Sequence, residues 1–113
     1  MNGHWKRVAA THDIPTGRMR ACTIEGRELL VCNTRDGWFA VDNTCTHADA
    51  KMNEGRLGGC RVTCPLHGAS FDVRDGHVIR GPATAPLRSY ATRIVTGGIE
   101  VELPWAETTS APR

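Results

Sequence analysis

The sequence is poor in aromatic residues, at 5% of 113, with only Trp5, Trp38, Trp105, Phe39, Phe71 and Tyr90. It has no run of Lys or Arg, and its 14 basic and 12 acidic residues are interspersed to a net charge of +2. That balance leaves no footprint for nucleic acid or a membrane surface. No window approaches the roughly 20 apolar residues of a membrane helix. The opening MNGHWKRVAATHDIP lacks the apolar core of a secretion signal. No Gly-rich dinucleotide fingerprint is present, so a nicotinamide or flavin must bind elsewhere. There is no catalytic triad and no set of two His and one carboxylate for activating oxygen. The five cysteines (22, 32, 45, 60 and 64) are odd in number and unevenly spaced. This argues against a secreted disulfide framework and for metal-binding thiolates in a reducing compartment, with the cytoplasm as the default expectation.

What is present is ordinary in amount: 40% hydrophobic and 23% charged residues, enough for one domain with a modest core. The pattern is β-rich. WKRVA (5–9), MRACTI (19–24), ELLVCNT (28–34), WFAVD (38–42), RVT (61–63), SFDV (70–73), HVI (77–79), SYATRIV (89–95) and IEVEL (99–103) read as strands. Turn chemistry separates them: DIPTG (13–17), EGR (25–27), RDG at 35–37 and again at 74–76, and TGG (96–98). NEGRLGG (53–59) reads as a polar connection, GPATAP (81–86) cannot be regular strand, and ADAKMNE (48–54) has room for one helical turn. The tail 104–113 reads as frayed. The expected class is all-β.

Chemistry concentrates in two places. Cys45-Thr-His47 and Cys64-Pro-Leu-His67 stand 16 residues apart, each offering a thiolate and an imidazole. A single such pair is most simply a buried thiol beside a surface imidazole. Two pairs, each with Cys before His, ask for a metal. Zinc accepts two Cys and two His, but its sites favour like ligands grouped as C-x₂₋₄-C and H-x₃₋₅-H. A [2Fe–2S] cluster with two His replacing two Cys on one iron is the alternative.

At this point the sequence resembles the Rieske family, whose pattern is C-x-H followed by C-x-x-H. Pro65 and Gly68 complete C-P-x-H-G, and GPATAPL (81–87) is similar to the proline loop that covers the cluster in that family. The resemblance runs from Trp5 to about Leu103. It implies a Rieske fold: an antiparallel β-sandwich base from residues 4–42 and 82–103, with a small inserted cluster-binding subdomain at 43–81. It also implies one [2Fe–2S] cluster held by Cys45, His47, Cys64 and His67.

Within the family, Ala50 and Leu66 stand where respiratory and photosynthetic members carry a disulfide, and no membrane anchor is seen. Terminal oxygenase subunits are much longer. The sequence most resembles the small ferredoxins of bacterial ring-hydroxylating dioxygenase systems. The resemblance therefore implies a one-electron carrier for aromatic compound degradation, with a flavin-dependent NAD(P)H reductase and a terminal oxygenase as partners. It implies no catalytic residues on this chain. A small Rieske-like subunit of a nitrite reductase is the second reading, and a zinc-stabilised binding module the third. In high-potential relatives a Ser follows C-P-x-H-G and a Tyr comes two residues later, both bonding to cluster sulfurs. Ala69 and Phe71 occupy those positions here, which implies a low potential.

The remaining residues have plainer expectations. Cys22 and Cys32 lie in apolar runs and read as buried small hydrophobes, and Cys60 as structural. His4, His12 and His77 read as solvated. Phe71 is expected beside the cluster, and Trp5 and Trp38 in packing.

Overall fold

The computed structural model describes residues 3–104, and the expected all-β class is what it contains. Eleven strands form: β1 (Gly3–Ala10), β2 (Arg18–Ile24), β3 (Arg27–Thr34), β4 (Gly37–Asp42), β5 (Arg56–Gly58), β6 (Arg61–Thr63), β7 (Ser70–Asp72), β8 (Val78–Arg80), β9 (Ser89–Tyr90), β10 (Thr92–Val95) and β11 (Gly98–Pro104). They assemble into three sheets, ordered β1-β11-β10, β2-β3-β4-β9 and β5-β6-β7-β8. Every pairing is antiparallel. Short 3₁₀ turns occupy Thr11–Asp13 and Met52–Glu54, the second within the segment expected to make one turn.

The middle sheet explains why ELLV fails to alternate. Leu29, Leu30, Val31 and Cys32 are all buried, because β3 has an apolar neighbour on each face. Leu29 packs with Val101 and Leu103 of the first sheet, and Val31 with Ile99. Leu30 and Cys32 point the other way, into a core shared with Cys45, Cys64, Val62 and Phe71. One strand thus ties the terminal strands of the chain to the Cys/His loops.

The turns follow their chemistry. Glu25–Gly26 and Thr96–Gly97 have left-handed backbones at both positions, the primed hairpin geometry that matches strand twist. Gly76 does more than turn. Its φ is +86°, and a Cβ there would meet the Leu87 carbonyl oxygen at 1.9 Å. Bare backbone at this point lets Leu87 N–H reach Gly76 C=O at 2.8 Å, pinning the end of the proline loop to the third sheet.

Several expectations need correction. NEGRLGG is not all connection, since Arg56–Gly58 pairs with β6. SYATRIV is not one strand. Tyr90 pairs with Ala40 in the middle sheet, whereas Thr92 pairs with Val101 in the first. The chain changes sheets at Ala91. Ile14, inside the DIPTG turn, is 1% exposed and belongs to the core. His4 is not solvated like His12 and His77, because its side chain is only 19% exposed and lies 2.8 Å from the Glu25 carboxylate. Cys32 is buried as expected, but Cys22 is only half-buried. Pro104 closes β11, and the rest of the tail lies outside the described residues.

Candidate metal centre

The two Cys/His segments fold into loops of the same frame. In each, six residues run from Cys to Ala, and the Cys N–H donates to that Ala carbonyl: Cys45 to Ala50 at 2.9 Å and Cys64 to Ala69 at 2.7 Å. In each, the residue two places on turns its N–H to the sulfur. His47 N lies 3.4 Å from Cys45 Sγ, and Leu66 N–H bonds Cys64 Sγ. Such bonds favour thiolate over thiol and fix where the sulfur points.

The loops bring all four expected ligands together. Cys45 and Cys64 are buried, at 4% and 2% exposure, with their sulfurs within hydrogen-bonding reach of each other. His47 and His67 are exposed, their rings 5.3 Å apart at an interplanar angle of 74°. The arrangement is two sulfurs inside and two imidazoles outside. Phe71 belongs to the same core as the two cysteines, with Ala50, Met52, Ala69, Ala83 and Leu87 around them. Burial pushes the Cys64 thiol up; the Leu66 N–H opposes this and Cys45 adds to it. Metal binding must release such protons.

This split into a sulfur pair and an imidazole pair bears on the metals that spacing left open. Among the described residues, no three His, Cys, Asp or Glu side chains converge on one point that could hold a single ion. Zinc needs four donors within about 2.0–2.3 Å of one centre. A dinuclear cluster needs two thiolates on one iron and two imidazoles on the other. The donor set fits the second demand.

Cys60 stays apart. Its sulfur lies 3.4 Å from Asp36 Oδ2 and 3.7 Å from Thr34 Oγ1, in a cleft of about 640 Å³ that Arg35 and Arg74 also line. The proline loop reaches the first ligand loop through Thr46, whose hydroxyl donates to Ala85 C=O at 2.6 Å. Ala69 and Phe71 are fully buried and carry no hydroxyl. Ser70 Oγ is buried with no hydrogen-bond partner among the described residues. Strand alternation puts Ser70 on the face opposite Ala69 and Phe71, so it does not substitute for either.

Sequence reasoning missed Asn43, which is fully buried at the foot of the first loop. Its Nδ2 donates to Glu28 Oε2 (3.1 Å) and Asn53 Oδ1 (2.8 Å), and its Oδ1 accepts Asn53 N–H at 2.9 Å. Its backbone bonds Glu28 C=O and Met52 N–H. Lys51 completes the clamp, with Nζ 2.8 Å from Glu28 Oε1 and 3.1 Å from Thr44 Oγ1. Lys51 first, and Asn43 after it, hold the Glu28 carboxyl below its usual range. Its side-chain partners lie 15 and 10 residues away, so nothing local in the sequence marks it as a hub.

Comparison with known proteins now bears on the site. Residues 4–91 match the Rieske [2Fe-2S] domain. The chain belongs to the Rieske family. Family membership assigns it one [2Fe–2S] cluster. It is 34% identical over 103 residues to the ferredoxin component of the naphthalene 1,2-dioxygenase system of Pseudomonas aeruginosa, covering 91% of this chain and 99% of that one. It superposes with a TM-score of 0.82 and 33% identity on a chain from a complex of reduced oxygenase and oxidised ferredoxin in carbazole 1,9a-dioxygenase, covering 87% of this chain and 92% of that one. A nitrite reductase small subunit from Mycobacterium tuberculosis, described as putative in its own name, shares the fold at a TM-score of 0.77. At 23% identity, covering 88% of this chain and 94% of that one, the likeness carries the fold alone.

Proposed function

We propose that this Rieske protein is the ferredoxin component of an aromatic-ring-hydroxylating dioxygenase system. It carries single electrons from an NAD(P)H-dependent flavin reductase to a terminal oxygenase. Cys45 and Cys64 would supply the cluster's thiolate ligands and His47 and His67 its imidazole ligands. Residues 43–81 act as the cluster-holding unit on a base of 4–42 and 82–103. The protein works in the cytoplasm, consistent with its five free cysteines. None of the described helices is long and apolar enough to cross a membrane.

The observation that carries this reading is the pair of exposed imidazoles over two buried thiols. When bound, the cluster supplies a one-electron couple. The chain's own residues do the rest. The Cys45 and Cys64 loops aim sulfur donors inward, with backbone N–H groups turned to them. Ala50, Met52, Ala69, Phe71 and Leu87 exclude water from the inner side. His47 and His67 leave an edge open to a partner, flanked by Leu66 (48% exposed) and the Pro82–Pro86 loop. The protein is therefore a carrier and not a catalyst, and the oxygenase chooses the aromatic substrate.

A small, mostly apolar tip suits a brief contact of under about 1,200 Å². Replacing Leu66 with Glu puts a charge in that contact. The variant is expected to keep its visible spectrum but to slow both half-reactions about tenfold in stopped-flow mixing. Unchanged transfer with both partners rejects the shared tip.

A further inference from the structure

The third sheet has two unlike faces. Leu57, Val62, Phe71 and Val78 form a cross-strand row that belongs to the main core. The next row, Arg56–Thr63–Ser70–Arg80, faces the other way. A register shift between Ser70 and Phe71 on the β8 side lets Val78 face inward and Arg80 outward. Three strand spacings set Arg56 and Arg80 about 14 Å apart, with the half-buried Thr63 and the buried Ser70 between them. Arg61, paired with Asp72 on the far side of the Val62–Phe71 row and so on the same face as Thr63, adds a third cation.

All three arginines are exposed. Among the described residues, none of them has a carboxylate oxygen within ion-pair distance. Lys6, Arg20, Lys51, Arg74 and Arg93 each do, whereas Arg7, Arg18, Arg27, Arg35 and Arg88 do not, so the shared face of one sheet is what sets these three apart. Asp72, the nearest acid in the pairing pattern, is occupied by Arg74 at 2.7 Å. The row also lies beside the open edge of the site. Thr63 precedes Cys64, and Arg80 precedes the Gly81–Pro82 step into the proline loop. Arg56 lines a cleft of about 460 Å³ with Cys64, Pro65 and Thr63, where Glu54 is the one carboxylate.

We propose that Arg56, Arg61 and Arg80 form an electrostatic docking face for the flavin reductase, met by a cluster of Asp and Glu side chains beside the flavin. This rests on the electron-carrier reading and extends it to one partner. The sign of the redox step selects the reductase. In that step the reduced flavin loses one electron and this protein gains one, so its net charge falls by one. An acidic surface holds the oxidised carrier more tightly than the reduced carrier. A donor needs that order, since it must bind the empty carrier and release the filled one. An acidic acceptor would retain the spent carrier instead. Charges this close to the contact lie within a Debye length of about 10 Å at 0.1 M salt.

The test uses the holoprotein and the double variant Arg56→Glu/Arg80→Glu. Arg56→Gln/Arg80→Gln serves as the milder pair should charge reversal impair folding. Three quantities are measured: the dissociation constant of the oxidised protein with the reductase, the stopped-flow rate of its reduction by that reductase, and the rate at which the reduced protein passes its electron to the oxygenase. Reversal is expected to weaken reductase binding and slow reduction by about tenfold or more at low salt. Both effects should fade towards 1 M salt, where the Debye length is about 3 Å. Oxidation by the oxygenase should change less than twofold. Unchanged reductase binding and reduction, or slowing equal to or larger with the oxygenase, overturns the proposal while leaving the carrier reading intact. A wild-type protein with no visible iron–sulfur absorption removes the carrier reading itself.

Discussion

The two ligand loops solve one problem by different means. Both run six residues from Cys to Ala, both close with the Cys N–H on the Ala carbonyl, and both turn a backbone N–H to the sulfur. The second loop sits between β6 and β7, whose ladder continues to the Thr63–Ser70 pair. A paired ladder holds its ends, and the loop must reverse within it. It does so with two consecutive left-handed residues, His67 (φ 66°) and Gly68 (φ 77°). The first loop has no left-handed residue and only an isolated bridge, Thr44–Lys51, at its ends. Side chains replace the missing ladder: Asn43, Glu28, Asn53 and Lys51 below, and Thr46 on the proline loop above. The extra residue before His67, C-x-x-H against C-x-H, goes with the reversal. The same loop frame does not require the same support beneath it.

The strongest way to break the comparison is to remove a thiol from either loop. Cys45→Ala and Cys64→Ala should each abolish cluster assembly, read as lost visible absorption and lost iron on metal analysis. Cys60→Ala should retain both. Assembly surviving the loss of either loop cysteine would mean that the loops do not act as a pair.

Asn43→Ala attacks only the first loop's clamp. It strands the Asn53 N–H and part of the Glu28 carboxylate, at a cost of about 1–3 kcal/mol in chemical denaturation. The second loop has no equivalent residue to lose. Gly68→Ala attacks only the second loop's reversal. No heavy atom lies within 4 Å of the added Cβ, so the cost is backbone alone, about 1 kcal/mol. A much larger loss at Gly68 would mean that the proline loop or a neighbouring side chain closes over it.

The smallest effect concerns tuning within the second loop. Ala69→Ser and Phe71→Tyr restore hydroxyls at fully buried positions. A hydrogen bond to a charged group contributes about 1.5–3 kcal/mol, and only its change on reduction moves the potential. Each substitution should raise the potential by tens of mV, on the scale where 59 mV is tenfold for one electron. Potentiometry that finds both values unchanged or lowered rejects hydroxyl donation as the tuning device.

Much of this was legible in the residues. Period-two alternation marked IEVEL as a strand and an apolar run marked ELLVCNT as another, but that β3 is buried on both faces emerged only in the fold. The C-x-H and C-x-x-H segments marked four candidate ligands because a metal needs specific atoms at short range. Alternation could not show that SYATRIV changes sheets at Ala91. Side-chain pattern says which face is buried, but not which neighbouring backbone takes the hydrogen bonds. Asn43 was invisible for a related reason, since its partners Glu28 and Asn53 lie 15 and 10 residues away. Arg56 read as part of a polar connection until its pairing with Thr63 placed it in one row with Arg80.

The central claim is that two thiolates and two imidazoles from these loops share one [2Fe–2S] cluster. Electron paramagnetic resonance of the reduced protein, with pulsed detection of nitrogen couplings in ¹⁵N-histidine-labelled samples, tests it most directly. Two inequivalent histidine nitrogens are predicted, with one coupling removed by His47→Cys and the other by His67→Cys. A reduced cluster that shows no histidine coupling, or a protein that holds zinc and no acid-labile sulfide, contradicts the account.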